Sequence, residues 1–583
     1  MGSARRKSVG PYKDQPPPWC NVRFRFALAL FAAILAGACI LYFPALTGGF
    51  IFDDLSLPLA AGPGYHPLAG WLSNNRPILI LSYGLNGILL GDRPLSYHVV
   101  NLLIHALNTC LVFLVLGRLL TMAGWMERRK VIAASIGTLV FLIHPLQTES
   151  VSYIAGRSES LASLFLLLAY VVFLNREGDS ISWGRALAVL ILFGIGVKTK
   201  ESAVSLPGIL FLTDVTWPRP FSLEGPRKNW RLYALMLPGA IVAAVGIFRM
   251  LATAETAGFA VTTFKWYQYA FTEARAIFTY LQLAVFPVGQ ALDHDFPTSR
   301  TITQHGALVY MALLAGLIWA SVRWRRRYPL ACFGFLMFLI GLAPTSSFVP
   351  IDDALVERRM YLPLVGLILI GCDLVERQKP SRPAVCGLVT AIALTFGGFC
   401  YSRNQLWGRP ELLIALAAED SQHNPRPLLN LTELLIKHNR CDLAVTYLRR
   451  AERILPGNYY VNASWGRALA CLGRAEEGMQ HLQLAAQMQP CSQVYLWIGL
   501  VYGQMGRSDD AGMALHKAVQ LDPSSGTAHG ALALWFESIH NFSAAEREYS
   551  TNVALDPEDA TARLSLARVT RMKDTQPPAN SFP

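Results

Sequence analysis

Two adjacent aspartates, Asp53 and Asp54, follow a long apolar run in the stretch GGFIFDDLSLP (residues 48–58). A charge beside a bilayer is energetically costly, so an acidic pair at this point suggests a function. Neighbouring carboxylates repel one another, which raises the proton affinity of at least one of them. One aspartate could then act as a general base, while the second orients an acceptor or holds a divalent cation. A solvated helix cap or a topology marker is the structural alternative.

Three further polar groups lie between apolar segments and mix carboxylates with cations. Such a mixture suits a substrate that is part phosphate and part hydroxyl, because cations neutralise a departing phosphate and a carboxylate accepts the hydroxyl proton. Arg358 could instead contact lipid headgroups, and His144 could simply end a helix. With the acidic pair, the candidate site residues are Asp53, Asp54, Arg76, His144, Glu149, Arg157, Lys200, Glu201, Glu357, Arg358, Tyr361 and Arg403.

The elements that must position these residues are helices, and the sequence changes character near residue 402. The chain has 583 residues, of which 53% are hydrophobic. After a basic tail (residues 1–23), residues 24–402 consist mostly of apolar stretches joined by short loops, with one long outer loop at 47–96. This pattern predicts an all-α polytopic membrane domain of about 11 spans, although several stretches are shorter than the roughly 20 residues of an untilted span.

The positive charges predict which loops face the cytoplasm. The net charge is +12, and because no nucleic-acid motif is present, we attribute the basic balance to membrane topology and predict no nucleic-acid partner. Placing every basic loop inside leaves the N-terminus inside, the C-terminus outside and all four polar groups at one outer surface. It also requires residues 271–287 to lie on the outer face or to dip into it. The basic loops are the N-terminal tail and residues 127–130, 219–231, 323–327 and 376–382.

The polar C-terminal part of the chain contains an internal repeat. Prolines recur at Pro456, Pro490, Pro523 and Pro557, at intervals of 34, 33 and 34 residues. This is the period of tetratricopeptide repeats (TPR), whose helix pairs bury their apolar faces by stacking. Residues 403–570 are therefore predicted to form a TPR α-solenoid, followed by a disordered tail at 571–583. Such arrays bind extended polypeptides or other proteins on a concave surface.

The cysteines do not indicate a metal site or a disulfide framework. Ten cysteines are present, and none belongs to a C-x-x-C pair. Six of the ten lie in or beside apolar segments, where cysteine usually acts as a small hydrophobic residue. The sequence leaves open whether a metal ion takes part in the chemistry of the candidate site.

Several segments resemble a known family, the transmembrane and TPR-containing protein O-mannosyltransferases. The resemblance covers roughly residues 40 to 570, and it implies a GT-C type glycosyltransferase fold. It also implies a sugar donor linked to a lipid phosphate, with transfer to serine or threonine of secreted or surface proteins. The matching segments are FIFDD, FLIHPLQTESVSYIAGRSESLA, KTKESAVSLP, VERRMYLPLVGL and YSRNQLW, the last of which runs directly into the repeats.

The same resemblance implies roles for individual residues. Asp53 or Asp54 matches the acidic motif that supplies the catalytic base. The reaction is expected to invert the configuration at the anomeric carbon of the sugar. The donor would be a dolichyl- or undecaprenyl-type polyprenyl-phosphate carrying mannose or another hexose. The short array is more typical of a bacterial relative, with the array in the periplasm; an endoplasmic reticulum membrane with the array in the lumen is the alternative. Polar positions around the donor site are matched by His144, Glu149, Arg157, Lys200, Glu201, Glu357 and Arg358.

A different class of function also fits part of the sequence. The chain could be a membrane scaffold without enzymatic activity, or a transporter, that displays the repeats during assembly of a surface structure. A transporter should carry polar residues near the middle of its spans, whereas here they cluster at one surface. A pure scaffold needs none of the outer arginines and aspartates, so the enzyme is the favoured interpretation.

Overall fold

The computed structural model describes residues 18–56, 75–91, 93–176, 178, 180–217, 222–239, 265–555 and 560–574. Within these ranges the regular elements are helices and no β-strand occurs, which confirms the predicted all-α class. Most of the predicted basic tail, residues 57–74 of the outer loop, much of the seventh predicted span, Pro557 and most of the predicted disordered tail lie outside the described residues.

The membrane domain begins with α1 and ends with α14. Short 3-10 turns connect many of its helices, and three of these turns carry candidate site residues: Phe52–Ser56, Glu201–Ser205 and Glu357–Met360. The α-helices are α1 (Pro18–Tyr42), α2 (Pro77–Leu90), α3 (Pro94–Met122), α4 (Glu127–Ile143), α5 (Thr148–Ser152), α6 (Arg157–Leu174), α7 (Trp183–Val197), α8 (Leu206–Thr216), α9 (Glu224–Lys228), α10 (Trp266–Val285), α11 (Ala307–Arg323), α12 (Pro329–Leu342), α13 (Leu364–Arg377) and α14 (Arg382–Trp407).

The apolar helices fit a multi-pass membrane protein. Five stretches of the described residues are long and apolar enough to cross a membrane, and α4 with Pro145–Ser152 adds a sixth that bends by 53°. Helices α2, α7 and α12 are apolar but have only 14, 15 and 14 residues. At 1.5 Å per residue they reach roughly 20 Å, which is short of a hydrocarbon core of about 30 Å. The number of about eleven spans therefore stays a prediction.

Helix α3 lies in the centre of the membrane domain and contacts the turn that follows α5 and helix α6. Its apolar face, including the fully buried Leu116, packs into the large core cluster. Its polar face bonds to backbone carbonyls: the Asn101 amide donates to Val151 O (3.2 Å), and the Asn108 amide donates to Ser160 O (2.7 Å). Buried backbone carbonyls need such partners, so these amides fix α5 and the start of α6 against α3.

Helices α12 and α13 approach one another closely because glycine lies at their crossing. A Cβ atom added to Gly334 would lie 2.4 Å from the carbonyl oxygen of Gly366, and the converse distance is also 2.4 Å. Neither position can therefore accept a side chain without moving a helix backbone. This contact fixes the first half of α12 against the start of α13, just after the turn Glu357–Met360.

The C-terminal part is the predicted repeat array. Each of four helix pairs turns on one left-handed residue at the same repeat position: Asn439 (φ +57°), Gly473 (+80°), Gly506 (+74°) and His540 (+60°). Asparagine and glycine tolerate this conformation best, which explains the recurring turn sequences. The helices are α15 (Pro410–Asp420), α16 (Pro425–Lys437), α17 (Cys441–Ile454), α18 (Tyr459–Cys471), α19 (Ala475–Met488), α20 (Ser492–Gln504), α21 (Ser508–Leu521), α22 (Gly526–Ser538), α23 (Phe542–Leu555) and α24 (Ala560–Asp574).

A disulfide joins the first two repeats. It links Cys441, the first residue of α17, to Cys471, the last residue of α18, with Cα atoms 6.1 Å apart. The cysteine spacing indicates no disulfide framework, and it does not predict this single bond. The two residues are 30 positions apart in sequence, and only the stacking of consecutive repeats brings them together.

Candidate active site

The acidic pair lies in the 3-10 turn Phe52–Ser56, hereafter the acidic turn, and its two aspartates have different surroundings. Asp54 is 2% exposed, and its carboxylate accepts hydrogen bonds from the backbone N–H of Ile51 (3.1 Å) and of Ala155 (2.7 Å). Asp53 is exposed, and its backbone N–H donates to the hydroxyl of Tyr153 (2.9 Å). Asp54 therefore ties the acidic turn to the neighbouring turn, while the Asp53 carboxylate faces the outside.

Burial raises the pKa of Asp54 to about 7, although the two N–H donors oppose the shift and the charge of Asp53 adds to it. The ordinary aspartate pKa is near 4, so between about pH 4 and pH 7 the folded chain binds more protons than the unfolded chain. The free energy of unfolding should then fall as the pH rises through this window. The slope should approach about 1.4 kcal/mol per pH unit for one proton.

The substitution Asp54→Asn tests this expectation. It should weaken the pH dependence of the unfolding midpoint, measured on detergent-solubilised protein between pH 4.5 and 7.5. The matched control is Asp442→Asn, which changes an exposed acid in the array. An unchanged slope in Asp54→Asn would show that Asp54 titrates at its ordinary value.

Three ion pairs lie at or beside helix ends, and each joins two segments of the chain. Arg358 Nη1 lies 2.6 Å from Glu149 Oε1, and the Arg358 backbone N–H donates to Glu149 Oε2 (2.9 Å). The remaining two pairs link neighbouring turns to α6 and α2. They are Lys200 Nζ with Glu159 Oε1 (2.7 Å) and the bidentate pair of Arg76 with Glu201 (3.1 and 2.8 Å).

The three cations are close enough to act on one another. Burial lowers the pKa of Lys200, Glu159 opposes this, and the charges of Arg76 and Arg358 lower it further. The side chains of Arg76 and Arg358 are 39% and 23% exposed, whereas the paired Glu149 and Glu159 are 3% and 7% exposed. Of the three pairs, only Arg358 with Glu149 joins a partly exposed cation to a buried carboxylate, since Glu201 is 30% exposed and Lys200 is itself buried. The two partly exposed arginines can receive an anionic group from solvent.

Tyr153 connects the acidic turn to this cation cluster, which we define as Arg76, Lys200 and Arg358. Its hydroxyl accepts from the Asp53 backbone, and the Arg358 guanidinium carbon lies 5.9 Å from the centre of its ring. Burial lowers the pKa of Arg358, but Glu149, Tyr153 and, more weakly, the charge of Asp53 raise it above its ordinary value. The exposed Asp53 carboxylate thus lies near the partly exposed Arg358. Sequence reasoning missed Tyr153, whose only signal is its place between Glu149 and Arg157.

Glu357 and Arg403 meet on the side of the site nearest to the array. Glu357 is 1% exposed and accepts from Gln290 Nε2 (2.5 Å), the Ala291 backbone N–H (2.9 Å) and His294 Nε2 (2.9 Å). Arg403 donates to the carbonyl oxygen of Gln290 (3.3 Å). Both side chains support the loop after α10, and neither is among the partly exposed cations and carboxylates described above.

Arg157 lies in the interior of the membrane domain. Its guanidinium is fully buried and donates to Asn101 Oδ1 (2.6 Å), Asn86 Oδ1 (2.9 Å) and the carbonyl oxygen of Tyr97 (3.1 Å). It also lies 4.5 Å from the centre of the Tyr83 ring. These contacts satisfy the cation and join α2, α3 and α6. A direct contact of Arg157 with a donor phosphate stays a prediction.

His144 and Tyr361 are also buried among contacts of their own. His144 Nε2 donates to the carbonyl oxygen of Ala284 (3.0 Å), and Nδ1 accepts from the Leu146 backbone (3.2 Å). Tyr361 Oη lies 2.9 Å from His105 Nδ1 in the core beside α3. The alternative of a helix-end role for His144 matches this geometry, and substrate contacts of these two residues stay predictions.

A small cleft adjoins the Lys200–Glu159 pair. Its polar lining includes Glu159, Ser202, Thr345 and Arg359, and Ser202 donates to Glu159 Oε2 (3.0 Å). The remaining lining is largely apolar and comes from α6 and from the turn before α13. Within the part of the chain that the structure describes, no three His, Cys, Asp or Glu side chains are grouped to hold a metal ion.

Comparisons with known proteins bear on this site. No protein-family model matches the sequence. The protein O-mannosyl-transferase Tmtc1 of Drosophila melanogaster is 34% identical over 33% of this chain and 23% of its own length. The protein O-mannosyl-transferase TMTC3 of Mus musculus is 22% identical over 79% of this chain, and human TMTC1 is 25% identical over 73%. Both alignments cover 55% of the relative's length.

This chain thus spans about half the length of the mouse and human relatives. Among solved structures, a thermophilic TPR protein of Thermus thermophilus is 20% identical with a TM-score of 0.27 and covers 30% of this chain and 97% of its own. Over most of its length, the chain is similar to proteins named protein O-mannosyl-transferase, as its sequence motifs predict.

Proposed function

We propose that the protein is a membrane glycosyltransferase that moves a hexose, with mannose as the first candidate, from a polyprenyl-phosphate to serine or threonine hydroxyls of a polypeptide. The observation that carries this proposal is the exposed Asp53 carboxylate near the cation cluster, in which Arg358 and Arg76 are partly exposed. The names of the relatives support it independently. A dolichyl or undecaprenyl lipid fits the proposal equally, because both carry the same phosphate.

In the proposed reaction, Asp53 accepts the proton of the acceptor hydroxyl. The hydroxyl oxygen forms a bond to the anomeric carbon as the bond from that carbon to the phosphate oxygen breaks. The lipid phosphate leaves with the bonding electron pair, and Arg358, Arg76 and Lys200 stabilise its charge. Because the displacement has a single step, it inverts the configuration at the anomeric carbon. Asp54, which is held by two backbone donors, supports the acidic turn.

The array is proposed to bind the acceptor polypeptide at the outer side of the membrane. Disulfides persist in oxidising compartments and are rare in the cytosol. The bond between Cys441 and Cys471 therefore supports a periplasmic or lumenal location of the array. This location agrees with the topology deduced from the basic loops, in which the array and the acidic turn share one side.

The full-length protein in lipid nanodiscs provides the test. It is incubated with dolichyl- or undecaprenyl-phosphate mannose and a serine- and threonine-rich peptide, and transfer is followed by mass spectrometry of the peptide. We expect transfer from at least one lipid donor and none from a nucleotide-linked mannose. Transfer from the nucleotide donor alone would overturn the lipid-phosphate proposal. No transfer from any donor by protein with a normal unfolding midpoint would favour the membrane scaffold.

A further inference from the structure

The loop after α10 connects the array to the candidate site. Residues 290–295, hereafter the DHD loop, contain Asp293, His294 and Asp295 in succession. The two aspartates contact the array, and the histidine between them contacts the turn that carries Arg358. Three consecutive residues thus contact two parts of the molecule that are far apart in sequence.

The aspartates hold the start of the array through several charge-assisted bonds. Asp293 pairs bidentately with Arg426 at the start of α16 (2.6 and 2.7 Å), and Asp353 accepts from the same guanidinium (2.7 Å). Asp295 accepts from the backbone N–H groups of Gln422 (2.6 Å) and His423 (2.7 Å). Bidentate and networked pairs of this kind fix geometry better than isolated surface ion pairs do.

His294 contacts the other side of the loop. Its Nε2 lies 2.9 Å from Glu357 Oε1, and the loop adds two more donors to the same buried carboxylate. Glu357 precedes Arg358 in the turn Glu357–Met360, hereafter the arginine turn. Holding the Glu357 side chain therefore fixes the backbone from which Arg358 reaches Glu149.

The array also touches the acidic turn directly. Phe52 packs against the core of the first repeat, which includes Leu428 and Leu448, and against the cluster of Tyr153 and Trp407. Its backbone is left-handed (φ +47°), a conformation that a bulky residue rarely adopts. Packing on both sides holds this conformation, and Asp53 is the next residue. The first repeat thus contacts Phe52, which precedes Asp53. It also contacts the DHD loop, which holds the turn that carries Arg358.

We propose that the first repeat, acting through the DHD loop and Phe52, sets the positions of Arg358 and Asp53, with His294 as a positioning residue. The inference rests on the proposed function, in which Asp53 is the base and Arg358 stabilises the phosphate. Base and cation belong to separate segments, so their relative placement depends on an element that contacts both. Loosening the array should slow transfer and leave donor binding nearly unchanged, since Arg76 and Lys200 are held by Glu201 and Glu159 rather than by the DHD loop.

The test uses full-length protein in nanodiscs carrying Asp293→Asn with Asp295→Asn, or His294→Ala. Hydrogen exchange of the acidic turn and the arginine turn is the first readout, and it needs no substrate. We expect both turns to exchange about tenfold faster in the double variant, and His294→Ala to affect the arginine turn alone. His294→Gln, which keeps a donor, should restore slow exchange. Asp442→Asn is the control on the array surface.

Transfer kinetics with the lipid donor provide the second readout. The double variant should lower kcat about 10- to 100-fold with little change in the donor KM, because small misplacements of reacting groups slow chemistry more than binding. Unchanged exchange in both turns, while α16 itself exchanges faster, would overturn the inference. Faster exchange in a protein whose wild type transfers no sugar would instead overturn the proposed function and leave the coupling in place.

Discussion

Replacing Asp53 by asparagine should lower the rate of sugar transfer by about 100- to 10,000-fold, the usual contribution of a positioned general base. The fold should not change, because the Asp53 side chain is exposed and its hydrogen bond to Tyr153 comes from the backbone. An amide has nearly the size of the carboxylate but cannot accept the proton. The rate is measured with the lipid donor and the acceptor peptide, and the unfolding midpoint is measured in parallel.

The neighbouring substitution Asp54→Asn is the matched comparison. The backbone N–H groups of Ile51 and Ala155 now donate to the Asp54 carboxylate. In the variant, the NH2 group of the amide would replace one carboxylate oxygen and face one of these two donors. A buried donor left without a partner costs about 1–3 kcal/mol, so this variant should lose stability as well as activity. If Asp53→Asn keeps the wild-type rate and Asp54→Asn loses activity without losing stability, the two roles are reversed.

The second large effect is expected for Arg358→Ala. Loss of one group that stabilises a departing anion lowers a rate by about 100- to 1000-fold. The same change leaves Glu149, which is 3% exposed, without its cation. Removing one partner of a buried pair destabilises a protein by about 3–5 kcal/mol, so both the transfer rate and the unfolding midpoint should fall.

A double variant separates these two effects. Arg358→Met with Glu149→Gln removes both charges, so it should recover much of the lost stability while transfer stays low. The control is Arg474→Met, which breaks an exposed ion pair with Glu477 in the array and should change neither measurement. Recovery of transfer in the double variant would show that Arg358 acts only through the fold.

Local patterns in the sequence predicted the helical class and the repeats, because both depend on periods within one segment. The repeat turns at Asn439 and His540 take the same left-handed conformation as Gly473 and Gly506, so the repeat period is kept even where glycine is absent. The disulfide between Cys441 and Cys471 was missed because it depends on how one repeat stacks on the next. The number of spans was not settled, because several apolar helices are short.

The sequence predicted which residues form the candidate site, but it did not predict which of them form ion pairs with one another. Arg358 and Glu149 are 209 positions apart, and only the packing of the arginine turn against α5 joins them. The sequence also left open which aspartate is the base. Adjacent side chains on a tight turn point in different directions, and it is this geometry that buries Asp54 and exposes Asp53.

The last apolar helix leads almost directly into the array. Helix α14 has 26 residues, or about 39 Å, against a hydrocarbon core of about 30 Å, and α15 begins three residues after its end. The first repeat therefore stands only a few helical turns above the bilayer, next to the acidic turn. Under the proposed function, the acceptor hydroxyl must reach the acidic turn this close to the bilayer, so we expect an extended segment to be modified more readily than a folded domain. Sugar addition would then compete with the acceptor's own folding, and secreted segments that fold slowly or never fold would be modified most.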